Sequence, residues 1–183
     1  MTFNYFDIKD ENDEDNSFSN EELNKKIYKK SFNKITNVSK KIKKIGFNMD
    51  QEFGKISKQY LAGVEPRLVE LMKAVLKESG IKFVITCGIR TAEEQQRLYK
   101  EKKSNCDGVN HKSKHQANFR GLSEAVDIAV IDLTDKRKIT WDIKYYYYVA
   151  GIFEAKAKAM GIKARWGGWF RGLEDGGHFE LMD

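Results

Sequence analysis

Three histidines stand in 183 residues, at positions 111, 115 and 178, and the carboxylates near two of them frame the chemistry. Asp127 lies inside "AVDIAVI", between Val126 and Ile128. An isolated ion in so apolar a run is costly to bury unless a positive charge compensates it, and a bound divalent cation would do so. His178 opens "HFEL", and Asp175 precedes it across two glycines that let the backbone bend tightly. Two imidazoles, His115 and His178, with one carboxylate, Asp127, and a fourth position left to water make the composition of a catalytic zinc site, with bonds of about 2.0–2.2 Å. Zinc lowers the pKa of its water to about 7, yet amide hydrolysis also needs a group that takes a proton and passes it to the leaving nitrogen. Asp175 is the candidate, near a ligand in sequence but expected to be turned away from the ion. Glu174 is its substitute. Glu180 either orients His178 from behind or faces solvent.

Competing readings exist for the same residues. A histidine in a domain is more often a surface or core residue than a ligand, and the interval from His115 to Asp127 has no specificity taken alone. His111 and His115 are four apart and would share a helix face. However, "HKSKH" lacks the glutamate of the helical zinc-protease motif, and no helical pattern surrounds it.

The elements that must position these groups are legible from periodicity. "EPRLVELMKAVLKESG" places Leu68, Leu71, Met72, Val75 and Leu76 on one helical face, with Pro66 in the first turn and Gly80 at the stop. "IKFVIT" reads as a strand. "TAEEQQRLYKEK" opens with a capping box, Thr91 three before Glu94. "AVDIAVI" is a second strand, "WDIKYYYYVAGIFEAKAKAMG" a long helix ending at Gly161, "RWGGWFRGLEDGG" a glycine-rich loop, and "HFEL" a last short strand. This order lacks regular βαβ repetition, so the expected fold is α+β. The tyrosine run reads as a half-buried packing face.

Residues 49–183 form the expected catalytic domain, and residues 1–48 a charged extension, helical over 21–46. From Lys25 to Lys44 there are nine lysines and no acid, over a stripe of Ile27, Ile35, Val38 and Ile42. Such a helix would either lie on anionic membrane or wall polymer or pack as a solvated helix. It has no arginine and few interleaved aromatics, so no nucleic-acid partner is expected. The net charge of +6 and pI of 9.1 imply attraction to polyanions without choosing among them. Cys87 and Cys106 are too few for a disulfide scaffold and read as free thiols. No stretch is long and apolar enough to span a bilayer, and the acidic N-terminus is unlike a secretory signal.

Four linked blocks resemble the zinc D-alanyl-D-alanine carboxypeptidases and dipeptidases, and especially the L-alanyl-D-glutamate endopeptidases used as bacteriophage endolysins. They are "FVITCGIRTAEEQQRLY", "SKHQANFRGLSEAVDI", "MGIKARWGGWF" and "EDGGHFEL", and the resemblance runs from about Phe53 to Leu181, about seven-tenths of the chain. The resemblance implies a small antiparallel sheet with flanking helices, the D-Ala-D-Ala metallopeptidase or hedgehog-like fold. It also implies His115, Asp127 and His178 as ligands of one Zn2+ and Asp175 as catalytic base. Arg90 would stabilise the oxyanion and bind substrate, with Ser113 and Trp166 lining the substrate site. One departure stands out. Twelve positions separate His115 from Asp127, where the family usually has about seven, although added loop length costs little closure entropy. If the strand lost its register, Glu124 or Asp132 would be the ligand instead.

The expectation is therefore a monomeric zinc peptidase of bacterial peptidoglycan, cutting the L-Ala–D-Glu bond and waiting in the host cytoplasm until lysis. A D-alanyl-D-alanine carboxypeptidase is the alternative within the enzyme class. A wall-binding module that keeps fold and metal is the alternative outside it, and a basic nucleic-acid binder is the weakest.

Overall fold

The computed structural model describes residues 51–170 and 175–182. The expected extension over 1–48, with its helix at 21–46, and Glu174 lie outside the described residues. The elements in order are α1 (Lys55–Leu61), α2 (Pro66–Ser79), β1 (Phe83–Cys87), α3 (Ala92–Lys100), β2 (Ala125–Ile131), β3 (Ile139–Thr140), α4 (Ile143–Ala159), β4 (Ala164–Trp166), a 3-10 turn (Gly167–Trp169) and β5 (His178–Leu181). All strand pairs are antiparallel, in the order β1-β2-β5-β4, with β3 added to β2. The fold is thus α+β, as expected. No helix among the described residues is long and apolar enough to cross a membrane.

Local chemistry explains the elements. Pro66 opens α2, where its missing N–H costs nothing, and Gly80 closes it in the left-handed conformation at φ 62°. The Thr91 hydroxyl accepts from Glu94 N–H at 3.2 Å and caps α3, and the Asp142 carboxylate caps α4 through Lys144 N–H. Helices α2 and α4 lean together over one sheet face. Leu68, Leu71, Met72, Val75, Val149 and Phe153 are fully buried there. The Phe153 ring meets Phe179 of β5 edge to face, with centroids 4.8 Å apart. Short α1, β3 and β4 carry too few residues for periodicity to reveal them.

What the sheet does for function is a matter of register. Asp127 of β2 pairs directly with His178 of β5 on one side and with Cys87 of β1 on the other. The β1 register shifts between Ile85 and Cys87, a bulge that brings Cys87 level with Asp127. Central strand β2 therefore holds its acid between two neighbours, and alternation sends Val126 and Ile128 into the apolar core.

Two glycines let the backbones close around this row. A Cβ on Gly88 would lie 2.1 Å from Tyr60 O, and one on Gly167 would lie 2.7 Å from Asp175 O and 2.8 Å from His178 Cβ. The Trp-Gly-Gly block is thus small where it must touch the turn before β5. Substitution Gly88→Ala should lower unfolding stability by about 1–3 kcal/mol, because α1 has to retreat from the end of β1. Denaturant titration measures this, and an unchanged midpoint would contradict the close approach.

Candidate functional site

His115 comes from the loop between α3 and β2 and is almost wholly buried. Its Nδ1–H donates to Gly88 O at 2.7 Å, and since a carbonyl can only accept, this fixes the tautomer of the neutral ring and leaves its Nε2 with a bare lone pair. His178 is held the opposite way round. Its Nε2–H donates to Glu180 Oε2 at 2.9 Å, leaving Nδ1 bare. Glu180 is itself buried and held by Arg165 Nε at 2.6 Å, so it orients His178 and does not face solvent.

Those two lone pairs and Asp127 Oδ1 converge. His115 Nε2 lies 3.1 Å from Asp127 Oδ1 and 3.2 Å from His178 Nδ1, and His178 Nδ1 lies 3.1 Å from Asp127 Oδ1. Three acceptors facing one another at such range repel unless a positive charge sits among them. Ligands bonded to a tetrahedral cation at about 2.0–2.2 Å stand about 3.4 Å apart, so the observed spacing fits a divalent ion with little adjustment. The donor set fits as well, two imidazole nitrogens and one carboxylate oxygen.

Electrostatics tell the same story through protons. Burial opposes charge on His115, but the Asp127 carboxylate beside it pushes its imidazole up to about 10. Burial likewise works against Asp127 and is overcome by His115 and His178, which hold its carboxyl well below the usual carboxylate range. His178 is raised too, with burial outweighed by its bonds to Asp127 and Glu180. The cluster thus calls for positive charge in whatever form is available.

The insertion after His115 does not disturb this register. Asn118 Oδ1 accepts from Arg120 N and Leu122 N, closing the loop on itself. Its Nδ2 donates to the buried Glu65 at 2.8 Å, and Arg120 pairs with that same carboxylate. The two alternative ligands are occupied elsewhere. Glu124 binds Lys114 at 2.5 Å, and Asp132 caps the turn at Thr134 and Asp135.

Asp175 stands at the mouth, in the turn before β5. Its Oδ1 accepts from Gly177 N–H at 3.2 Å. The turn is expected to point Asp175 away from the ion, yet a carboxylate oxygen lies within 4.8 Å of the ligand atoms of Asp127 and His178. Gly167 O receives Asp175 N–H at 3.2 Å, which fixes the backbone of the turn beside the cluster. Burial pushes the Asp175 carboxyl up, and the negative charge of Asp127 adds to the effect.

Arg90, expected to face substrate, lies on the cleft wall and also grips the site. Its guanidinium donates to Asp127 Oδ2 at 3.2 Å and to Gln95 Oε1 at 2.8 Å, and its Nε is buried without a hydrogen-bond partner among the described residues. The Ser113 hydroxyl accepts from His115 N–H at 3.3 Å, supporting the ligand loop at the cleft wall. Trp166, expected on the substrate wall, is fully buried and donates to Gly176 O at 2.8 Å. Its place under the turn makes it a prop for Gly176. His111 lies on the rim and takes no part in the three-atom cluster.

Cys87 was missed as a site residue. Its sulfur lies 3.7 Å from His115 Nδ1 and 3.4 Å from the Arg90 guanidinium, and with His115 and Asp127 it forms a second group able to hold a cation. Only the bulge in β1 brings it there, and a bulge has no signature in "VITCGI".

Comparison with known proteins adds to this geometry. A family model described as phage L-alanyl-D-glutamate peptidase matches residues 49–182. The L-alanyl-D-glutamate peptidase of Escherichia phage T5 is 33% identical over 147 residues, covering 73% of this chain and 100% of that relative. Among solved structures, the Serratia marcescens L-Ala D-Glu endopeptidase ChiX superposes with a TM-score of 0.59 at 28% identity, over 71% of this chain and 89% of that one.

The His115 charge makes stability depend on pH. Its folded value of about 10 lies above the usual 6.5, so the folded state binds the extra proton. In cation-free protein this stabilisation is complete below about pH 6.5 and disappears as pH rises through about 10. A divalent cation displaces the same proton, so the stabilisation it adds should grow from about pH 6 to about pH 8. Thermal unfolding with chelator and with saturating cation checks this, and a gap that narrows with pH would contradict it.

Proposed function

The chain belongs to the phage L-alanyl-D-glutamate peptidase family, and on that premise we propose that it hydrolyses the L-alanyl-D-glutamate bond of peptidoglycan stem peptides, with one Zn2+ held by His115, Asp127 and His178. Membership makes it a peptidoglycan-cleaving hydrolase. The zinc reading is supported above all by the convergence of three lone pairs whose neighbouring hydrogens are committed elsewhere.

When bound, Zn2+ supplies Lewis-acid polarisation of the scissile carbonyl and lowers the pKa of a water to about 7. The protein supplies the rest. Asp175, with its raised carboxyl at the mouth of the cleft, takes the proton of the attacking water and returns it to the leaving amide nitrogen. Gly88 O and Glu180 keep both imidazoles in the tautomers that present lone pairs inward. Arg90 anchors Asp127 and lends fixed positive charge to the cleft where the carbonyl oxygen becomes negative. Ser113 holds the His115 loop in place.

The proposal extends to the setting. We assign residues 49–183 to catalysis by a monomer made in the host cytoplasm and acting on the wall at lysis. The lysine-rich segment from Lys25 to Lys44 gives an electrostatic pull toward anionic wall polymer or membrane.

Digestion of purified peptidoglycan, with and without chelator and restored zinc, tests the reaction when new termini are identified by mass spectrometry. A free amino group on D-glutamate is expected. Release of D-alanine would instead mean a carboxypeptidase, and an unchanged digest a binding module. Asp175→Asn should lower kcat by about 10²–10⁴-fold while one zinc per chain remains bound. Glu180→Gln should weaken zinc affinity about 10–100-fold, read by competition with a chromogenic chelator.

A further inference from the structure

Two hollows open beside the site, and they share only Asp127 and Asp175 among their lining residues. The paired carboxylates are therefore the junction between them. The larger, about 710 Å³, runs over His115 and His178 and carries Arg90, Lys103, Lys112, Lys114 and Arg165 on its walls. Four of these cations are paired, with Asp127, Glu101, Glu124 and Glu180. Lys112 is exposed and has no carboxylate partner among the described residues, which leaves it available to an anionic ligand.

The smaller hollow, about 380 Å³, has no lysine or arginine on its walls, and its character comes from Trp141, Ile143 and Tyr146. Trp141 is 71% exposed and lies parallel to the buried Tyr146 ring, with centroids 6.1 Å apart and an interplanar angle of 3°. That underlying ring is fixed. Its hydroxyl donates to Thr140 O at 3.1 Å and accepts from Val130 N–H at 3.2 Å. The platform also abuts the catalytic turn, since a Cβ on Gly176 would come within 2.8 Å of Ile143 Cδ1. An uncharged aromatic face, supported from below and open above, costs free energy in water and suits the C–H face of a pyranose ring.

The two ends of the substrate differ in the same way as the two hollows. On one side of the scissile bond, L-alanine is joined through a lactyl bridge to the glycan strand. On the other, D-glutamate carries a free carboxylate. We infer that the stem peptide crosses the carboxylate junction in one direction, with its sugar over Trp141 and its D-glutamate side toward Lys112. One residue and the lactyl bridge span roughly 7 Å when extended, so a sugar ring reaches the smaller hollow while the scissile bond stays at the junction. Trp141 is on this account a specificity-determining contact for the glycan. The inference rests on the reaction proposed above.

The test uses zinc-loaded, full-length protein and two substrates, a sugar-bearing muropeptide and the same stem peptide without its sugar. A third peptide, carrying D-isoglutamine, removes the carboxylate. Trp141→Ala should lower the kcat/KM ratio of sugar-bearing to bare peptide about tenfold, and Trp141→Phe should restore most of it. Lys112→Gln should lower the ratio of acidic to amidated peptide roughly threefold, an effect that added salt erases in the parent protein. A sugar ratio unmoved by Trp141→Ala, or one that falls with Lys112→Gln instead, overturns the inference while leaving the reaction intact. Parent protein that cuts none of the substrates overturns the reaction, and the inference with it.

Discussion

Three unshared electron pairs, on His115 Nε2, Asp127 Oδ1 and His178 Nδ1, point at a common centre from 3.1–3.2 Å apart. Holding them there without a positive charge is unfavourable, and much of the surrounding structure resists their separation. Gly88 O pulls on the far side of one imidazole and Glu180 on the far side of the other. Arg90 takes the second oxygen of Asp127, so the acid cannot swing away. Each outer contact both removes a hydrogen from the wrong nitrogen and resists the repulsion at the centre.

Such an arrangement needs a stiff frame, and the central strand provides it. Neighbours in an antiparallel ladder have fixed separations, so pairing Asp127 with His178 sets two of the three groups without any loop taking part. The third, His115, depends on loop closure, and its carbonyl accepts Arg90 N–H at 2.9 Å to tie it to the end of β1. Small residues matter where these pieces converge, since Gly88 and Gly167 stand where any side chain would strike backbone.

The extra residues between His115 and Asp127 show how such a frame tolerates change. Asn118 and Arg120 fold the insertion back onto Glu65, next to the start of α2, and the added length is absorbed outside the ligand row. Because side chains alternate along a strand, a slip of one residue would have sent Asp127 into the core and Val126 or Ile128 into the cleft. The apolar neighbours of Asp127 thus enforce its register as strongly as its polar ones.

The main helices, the two longer strands and the misfit of a lone acid in an apolar strand were legible in the chain, because periodicity, caps and the cost of an uncompensated buried charge are local properties. The α2 stripe, the Thr91 cap and the misfit of Asp127 among Val126 and Ile128 each carry their meaning within a few residues. Direction was not legible. That Asp175 comes near Asp127, Arg90 grips Asp127, Trp166 lies beneath a turn and Cys87 joins the row through a bulge all depend on partners ten or more residues away or on a register shift. Residue order can nominate groups for a site. Which way each one faces is set by packing and hydrogen bonds that exist only once distant segments have met.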